Sequence, residues 1–327
     1  MAFSPYPLLF RPVYKDYVWG GGRIRTAFGR ADAPDRCAES WEISAHPDGP
    51  GVVANGPLAG RTLAELADRC GAALTGARAP DPHRFPLLFK LIDARERLSV
   101  QVHPGNAAAV RCGGEPKTEM WVVLDGAPDA TLFAGLKPGV DAARLRQALA
   151  DGSAAECLNE LRARPGDALY IPGGLVHAIG AGCLIYEVQQ NSNTTYRLYD
   201  WGRIDPSGRP RPLHVEQALA VIDWDLPPPG LIRGTPAANR PNEVLATPFF
   251  HVRRLALETA VTLEADSATF LALFVRAGTL SATVDGHTVP LPCGTSCLIP
   301  AAAACCHLEP RGGAELSLPM LGQEFSA

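Results

Sequence analysis

The sequence predicts a mainly β protein: two β-barrels with a small helical insertion. Three observations lead there. Glycine (32) and proline (30) are frequent among the 327 residues, which favours turns and short elements. Apolar or alternating segments with β-branched residues outnumber segments with helical spacing. One strand–turn–strand pattern also occurs twice. Glu119-Met-Trp-Val-Val-Leu-Asp-Gly126 precedes Gly166-Asp-Ala-Leu-Tyr-Ile-Pro172, and Leu271-Ala-Leu-Phe-Val-Arg-Ala-Gly278 precedes Gly294-Thr-Ser-Cys-Leu-Ile-Pro300. Each pair has a strand ending in Gly, then Gly, five residues and Pro.

In chain order, Thr62-Leu-Ala-Glu65 opens a helix with a Thr cap and a Glu three residues on, the pattern of a capping box. Pro86–Ile92 and Leu98–His103 read as strands, as does Trp121–Leu124, which ends at the turn pair Asp125-Gly126. Asp141–Ala150 and the following Ala154–Arg162 have helical apolar spacing. Ala168–Ile171 reads as a strand ending at Pro172-Gly-Gly, and Cys183–Val188 as another after a glycine turn; His214–Ile222 is a further helix. The Pro-rich stretch from Leu226 to Asn242 is the expected linker, and a β-rich block follows from about Thr247. The expected division is a first domain at 1–232, with helical insertions near 60–75 and 139–163, and a C-terminal β domain at 246–327.

Composition narrows the function. With 46% hydrophobic residues the chain can bury a substantial core, while the net charge is −4 and the 30 basic residues are dispersed. No basic run tracks a phosphate backbone, so nucleic acid and membrane surfaces are not expected partners. Apolar runs fall short of a bilayer span and the N-terminus lacks the features of a secretory signal. Nine scattered cysteines with no C-x-x-C read as reduced thiols and a cytoplasmic setting.

Three segments carry chemistry: Gln101-Val-His103-Pro, Lys117-Thr-Glu119-Met-Trp121 and Gly174-Leu-Val-His177. Together they offer two imidazoles, a carboxylate and an amide, a set suited to a divalent metal with open positions. Gln101 and His103 are two apart on a strand and so share a face. Glu119 begins an apolar strand, where an ionised carboxylate is costly unless paired or metal-bound. In the second half of the chain, Leu271 takes the position of Glu119 and Cys305 that of His177, so no metal ligands are expected there.

The spacings resemble the two signature motifs of cupins. Glu119-x6-Gly126 matches the end of the first, and Gly166-x5-Pro172-x-Gly174-x2-His177 matches the second; the leading His103 lies further upstream than is usual. Within cupins, Pro86–Ile92, Leu98–Pro104, Lys117–Trp121, Asn191–Arg203 and Glu39–Ser44 resemble type I mannose-6-phosphate isomerases in their short bacterial form. The likeness runs in pieces over some two-thirds of the chain. It implies two jelly-roll barrels and a zinc-dependent isomerase interconverting mannose 6-phosphate and fructose 6-phosphate. By position it implies zinc ligands Gln101, His103, Glu119 and His177, with one Zn2+ per chain, and a catalytic arginine at Arg197. Lys90, Ser99 and Lys117 fall on residues near substrate in the family. A phosphorylated hexose is the expected partner, with the chain a monomer or weak homodimer.

Aldose–ketose isomerisation develops negative charge on oxygen, which a metal and a fixed guanidinium would stabilise. Arg197 is expected to hold charge on the enediolate or the phosphate, and Lys117, two residues from Glu119, to be one candidate proton carrier. Metal-bound water, Glu and Asp are others. Lys90 and Arg197 are the expected phosphate contacts. For Arg197, the alternative is an ordinary ion pair with nearby Asp200. Three other functions compete: an iron-dependent oxygenase, a non-catalytic sugar-binding cupin, and an isomerase for another sugar.

Overall fold

The computed structural model describes residues 3–204 and 208–322; the outermost residues of the two expected domains, 1–2 and 323–327, lie outside it, as do 205–207. The first part of the chain contains β1 (Leu8–Arg11), β2 (Val13–Lys15), β3 (Glu39–Ile43), β4 (Val52–Val53), β5 (Leu87–Ala94), β6 (Val100–Val102), β7 (Glu119–Gly126), β8 (Thr131–Leu136), β9 (Leu158–Arg162), β10 (Ala168–Ile171), β11 (His177–Ile179), β12 (Cys183–Gln190) and β13 (Tyr196–Tyr199). Its α-helices are α1 (Arg23–Ala27), α2 (Leu63–Cys70), α3 (Ala72–Thr75), α4 (Asn106–Cys112), α5 (Ala142–Asp151) and α6 (Val215–Val221). The second part contains β14 (Asn242–Ala246), β15 (Phe250–Leu257), β16 (Val261–Glu264), β17 (Leu271–Val284), β18 (His287–Pro292), β19 (Ser296–Ile299) and β20 (Cys305–Leu321).

Two antiparallel sheets form the first barrel: a six-stranded sheet in the order β10-β7-β12-β5-β3-β2 and a five-stranded sheet in the order β13-β6-β11-β8-β9. A nine-stranded sheet forms the second, and it recruits β1 and β4 from the N-terminal region, with Leu8 opposite Leu298. The six-stranded sheet is buried on both faces. Its outer face (Leu87, Phe89, Met120, Tyr186) packs on Phe250, Phe270 and Phe274 of the second barrel, with Tyr186 stacked on Phe274 at a centroid distance of 4.3 Å. Its inner face (Ile92, Trp121, Val123, Ile185) fills the first barrel. Double burial explains why β5 reads as a largely apolar run, with Lys90 and Asp93 its two charged residues.

The repeat is real in register. Glu119 of β7 lies opposite Ile171 of β10, as Leu271 of β17 lies opposite Ile299 of β19. The turn bonds coincide too: Gly166 N to Val123 O is 2.9 Å, and Gly294 N to Val275 O is 2.8 Å. Leu271 therefore stands where the first barrel has Glu119, and Cys305 begins β20 as His177 begins β11.

Helix α2 has the expected capping box between Thr62 and Glu65. The stretch Ala154–Arg162 departs from expectation: it is one 3-10 turn (Ala154–Cys157) followed by β9, antiparallel to β8 with Leu161 opposite Leu132. A helix of so few residues gains little on its own, whereas pairing with the open edge of β8 satisfies its backbone groups. Helix α4, not anticipated, is a run of alanines closed by Gly113 in the left-handed region. Among the described residues no helix is long and apolar enough to cross a membrane.

Candidate metal centre and its cavity

The two sheets of the first barrel face each other and bring the singled-out residues to one place. On the five-stranded sheet, Gln101 of β6 lies opposite His177 of β11 on one side and Arg197 of β13 on the other. On the six-stranded sheet, Glu119 starts β7, and a cross-strand row runs Trp41–Lys90–Glu187–Trp121 through β3, β5, β12 and β7. Strand alternation puts Glu119 and Trp121 on the same, inward face.

His103, Glu119 and His177 are buried and form a group able to hold a metal ion. His103 Nε2 and His177 Nε2 lie 3.2 Å apart, each 3.5 Å from a different oxygen of Glu119. Both rings are turned by their other nitrogen: His103 Nδ1 donates to Thr194 O and His177 Nδ1 to Leu175 O, each at 2.8 Å. That tautomer leaves both Nε2 atoms as lone-pair donors aimed inward, the arrangement that metal-binding imidazoles use. Neither Glu119 oxygen has an aligned hydrogen bond, although Lys117 Nζ stands 2.8 Å from Oε2. Converging lone pairs and a bare buried carboxylate fit a cation. Gln101 lies against this group: its amide nitrogen is 3.3 Å from His177 Nε2 while Ser99 Oγ donates to its oxygen at 3.3 Å. A half-turn of the amide exchanges the two atoms and presents oxygen to the centre.

Burial controls the protonation of this group. It pushes His177 down to about 4 and His103 well below the usual imidazole range, the latter helped by Lys117. It raises Glu119 to about 7, with the charge of Glu187 adding to it and Lys117 opposing. The imidazoles are thus neutral, as ligation requires.

A cavity of about 280 Å3 opens beside the centre, lined by Ser99, Gln101, Lys117, Trp121, Arg197 and Arg211 and, on the far wall, by Tyr17, Glu39, Lys90 and Glu187. Its size and polar walls suit a small hydrophilic metabolite. Arg197 donates through Nε to Ser99 Oγ at 3.3 Å and through Nη1 to Pro212 O at 2.9 Å. The expected alternative of a pair with Asp200 does not form; that carboxylate is held by Arg203 and Arg211. Lys90 is buried between Glu39 at 3.6 Å and Glu187 at 3.4 Å. Burial works to lower its pKa, but the two carboxylates prevail and raise it. With two anions already on it, Lys90 suits sugar hydroxyls better than phosphate. A larger cleft of about 630 Å3, lined by His46, Glu115, Asn106 and Gln190, contains none of the candidate ligands, so we place the chemistry in the smaller cavity.

Sequence reasoning missed Glu39, Glu187 and Arg211. Glu187 carried the same signal as Glu119, an acid inside an apolar strand; it now accepts from Trp121 Nε1 at 2.9 Å. Burial works to raise its pKa, but the lysines Lys117 and Lys90 overcome this and keep it ionised. Asp200 behaves alike: burial raises it, hydrogen bonds from Arg211 and Arg203 outweigh that, and its folded pKa falls below the unfolded value. Its contribution to stability is therefore present above about pH 4 and lost as the pH falls through the folded pKa. Asp200→Asn is expected to cost roughly 3 kcal/mol at pH 7 by removing the buried carboxylate that Arg203 and Arg211 share and to flatten the acid side of the stability curve. Urea unfolding between pH 3 and 7 measures both, and a variant matching the wild-type curve contradicts this role.

Comparison with known proteins bears on the chain as a whole. The model of the phosphomannose isomerase type I catalytic domain matches residues 8–122. The mannose-6-phosphate isomerase of Streptococcus mutans serotype c is 36% identical over 300 residues, covering 90% of this chain and 92% of the relative. The crystal structure of the Bacillus subtilis mannose 6-phosphate isomerase superposes with a TM-score of 0.82 at 30% identity, covering 96% of this chain and 99% of that one. A zinc-bound mannose 6-phosphate isomerase shares the fold, with a TM-score of 0.73 at 16% identity over 97% of this chain and 99% of that one.

Proposed function

This chain belongs to the type I phosphomannose isomerases, and from that premise we propose how it interconverts mannose 6-phosphate and fructose 6-phosphate. The observation that carries the reading is the buried His103–Glu119–His177 group, with both imidazoles tied back through Nδ1, directly behind Gln101 and Lys117, which line a cavity together with Arg197.

Gln101, His103, Glu119 and His177 are the proposed ligands of one zinc ion per chain; the zinc-bound relative supports that choice of metal. The bound ion supplies Lewis-acid polarisation of the sugar's carbonyl oxygen. The chain's own residues do the rest. A base takes the proton from carbon 2 of the open-chain aldose, and the electron pair moves through the new carbon–carbon double bond onto the carbonyl oxygen, giving an enediolate. The oxygen on carbon 1 then takes a proton, the hydroxyl on carbon 2 gives one up and becomes the carbonyl, and a proton returned to carbon 1 completes the ketose. Lys117 is our proposed proton carrier, since Nζ lies beside both Glu119 and His103 Nε2, at 2.8 and 3.2 Å. Glu187, ionised on the opposite wall, is the alternative base. Arg197, without a carboxylate partner among the described residues, offers its guanidinium to the enediolate or the phosphate. Arg211 beside it adds positive charge at that end, and Ser99 links Arg197 to Gln101. Lys90 contacts sugar hydroxyls. The division into a catalytic unit, 1–232, and a C-terminal unit without ligands, 246–327, and a cytoplasmic setting belong to the same proposal.

Incubating the zinc-loaded protein with mannose 6-phosphate, glucose 6-phosphate and free mannose tests the substrate. Only the first is expected to give efficient turnover, with fructose 6-phosphate as product. Faster turnover of either alternative would assign the site to another sugar.

A further inference from the structure

We propose that Glu115, with His46 behind it, is a positioning residue that sets the orientation of His103 and thereby the affinity of the metal centre. The inference rests on the metal-dependent reading above. Glu115 lies outside the catalytic cavity and lines the neighbouring cleft instead, so it does not touch substrate. It nevertheless fastens the segment 192–194 at several points. Its carboxylate Oε2 accepts from the Asn193 backbone at 2.9 Å, its backbone N–H donates to Thr194 Oγ1 at 3.0 Å, and its carbonyl accepts from Ser192 Oγ at 3.2 Å. That segment presents Thr194 O, the acceptor that turns the His103 ring.

The carboxylate itself is held from the other side. His46 is almost fully buried, lies edge-on against Trp41, and accepts the Asp48 backbone N–H at Nδ1, 3.1 Å away. That bond makes Nε2 the protonated nitrogen, and it donates to Glu115 Oε2 at 3.1 Å. Asp48 closes the ring by accepting from Asn193 Nδ2 at 2.7 Å. The path from His46 through Glu115 and Thr194 to His103 is thus made of hydrogen bonds with fixed donors and acceptors, and each member constrains the next. Losing the carboxylate removes its hold on the Asn193 backbone N–H and on His46, which loosens the chain next to Thr194 O and weakens the restraint on the His103 ring. Partners bonded directly to a ligand, as Thr194 O is to His103, typically govern metal affinity by about 10–100-fold; Glu115 stands one step behind that partner, so the low end of that range, about 10-fold, is expected.

The test is zinc affinity, measured by competition with a chelator, together with the rate of zinc loss, both at 25 °C. Glu115→Ala is expected to bind zinc about 10-fold more weakly and to release it faster, with activity recovering as zinc is raised. Glu115→Gln, which keeps an acceptor oxygen for Asn193 and His46, is expected to restore most of the affinity; its melting curve checks that the variants fold. A residue that served only the fold would lower the melting temperature of the metal-free protein and leave zinc loss unchanged. Wild-type zinc affinity in a folded Glu115→Ala overturns the inference while leaving the isomerase reading intact. A wild-type protein that bound no zinc would instead overturn that reading.

Discussion

Arg197→Ala is expected to lower kcat for mannose 6-phosphate by about 10²–10³-fold, the loss typical of removing one preorganised stabiliser of a developing oxyanion. The size follows from placement. Arg197 stands directly across the ladder from the ligand-type residue Gln101, its guanidinium has no carboxylate partner among the described residues, and it faces a cavity bounded by Trp121 and Ile179. In such a partly water-excluded space a fixed positive charge is worth more than in bulk water. Its structural role is small by comparison: bonds to Ser99 Oγ and Pro212 O, each worth about 1 kcal/mol. Melting is therefore expected to shift by only a few degrees. Steady-state kinetics separates the possible roles. A fall in kcat marks charge held on the enediolate, whereas a rise in KM alone marks ground-state phosphate binding. Arg197→Lys keeps the charge but loses the planar fork and is expected to recover only part of the rate. Turnover near wild type in the alanine variant would remove Arg197 from the mechanism.

Much of the centre was legible in the sequence because local geometry determines it. Two positions apart on a strand means one face, which sufficed to pair Gln101 with His103. An acid at the head of an apolar strand needs a partner, which singled out Glu119. The Gly and Pro spacing fixes the turn before His177, and the same spacing recurs at Gly294 with its hydrogen bonds intact. What escaped depends on register between strands far apart in the chain. The clamp of Glu39 and Glu187 on Lys90 exists because β3, β5 and β12 lie side by side, and no periodicity encodes that order. The pair His46–Glu115 joins two loops. Ala154–Arg162 shows the converse case: helical spacing was present, but a neighbouring strand edge offered the backbone a better partner. Arg197 lay between these extremes. Its neighbour Asp200 invited a local ion pair, and only the fold shows that Arg203 and Arg211 occupy that carboxylate.

The other large effect expected is loss of isomerase activity on metal removal, because in the proposed chemistry the ion would be the main group polarising the carbonyl oxygen and Arg197 alone would not replace it. Protein atoms already predict how the stripped centre behaves. Two neutral imidazoles and a carboxylate without an aligned hydrogen bond face one another in a buried space, and Lys117 stands beside Glu119 at 2.8 Å. Such a group rebinds a divalent cation readily and without rebuilding the barrel. The decisive measurement is turnover of mannose 6-phosphate after exhaustive chelation and dialysis, followed by titration with zinc. The account predicts activity at the background level, then full recovery at one equivalent of zinc per chain. Undiminished turnover in protein shown by elemental analysis to be free of metal would contradict it.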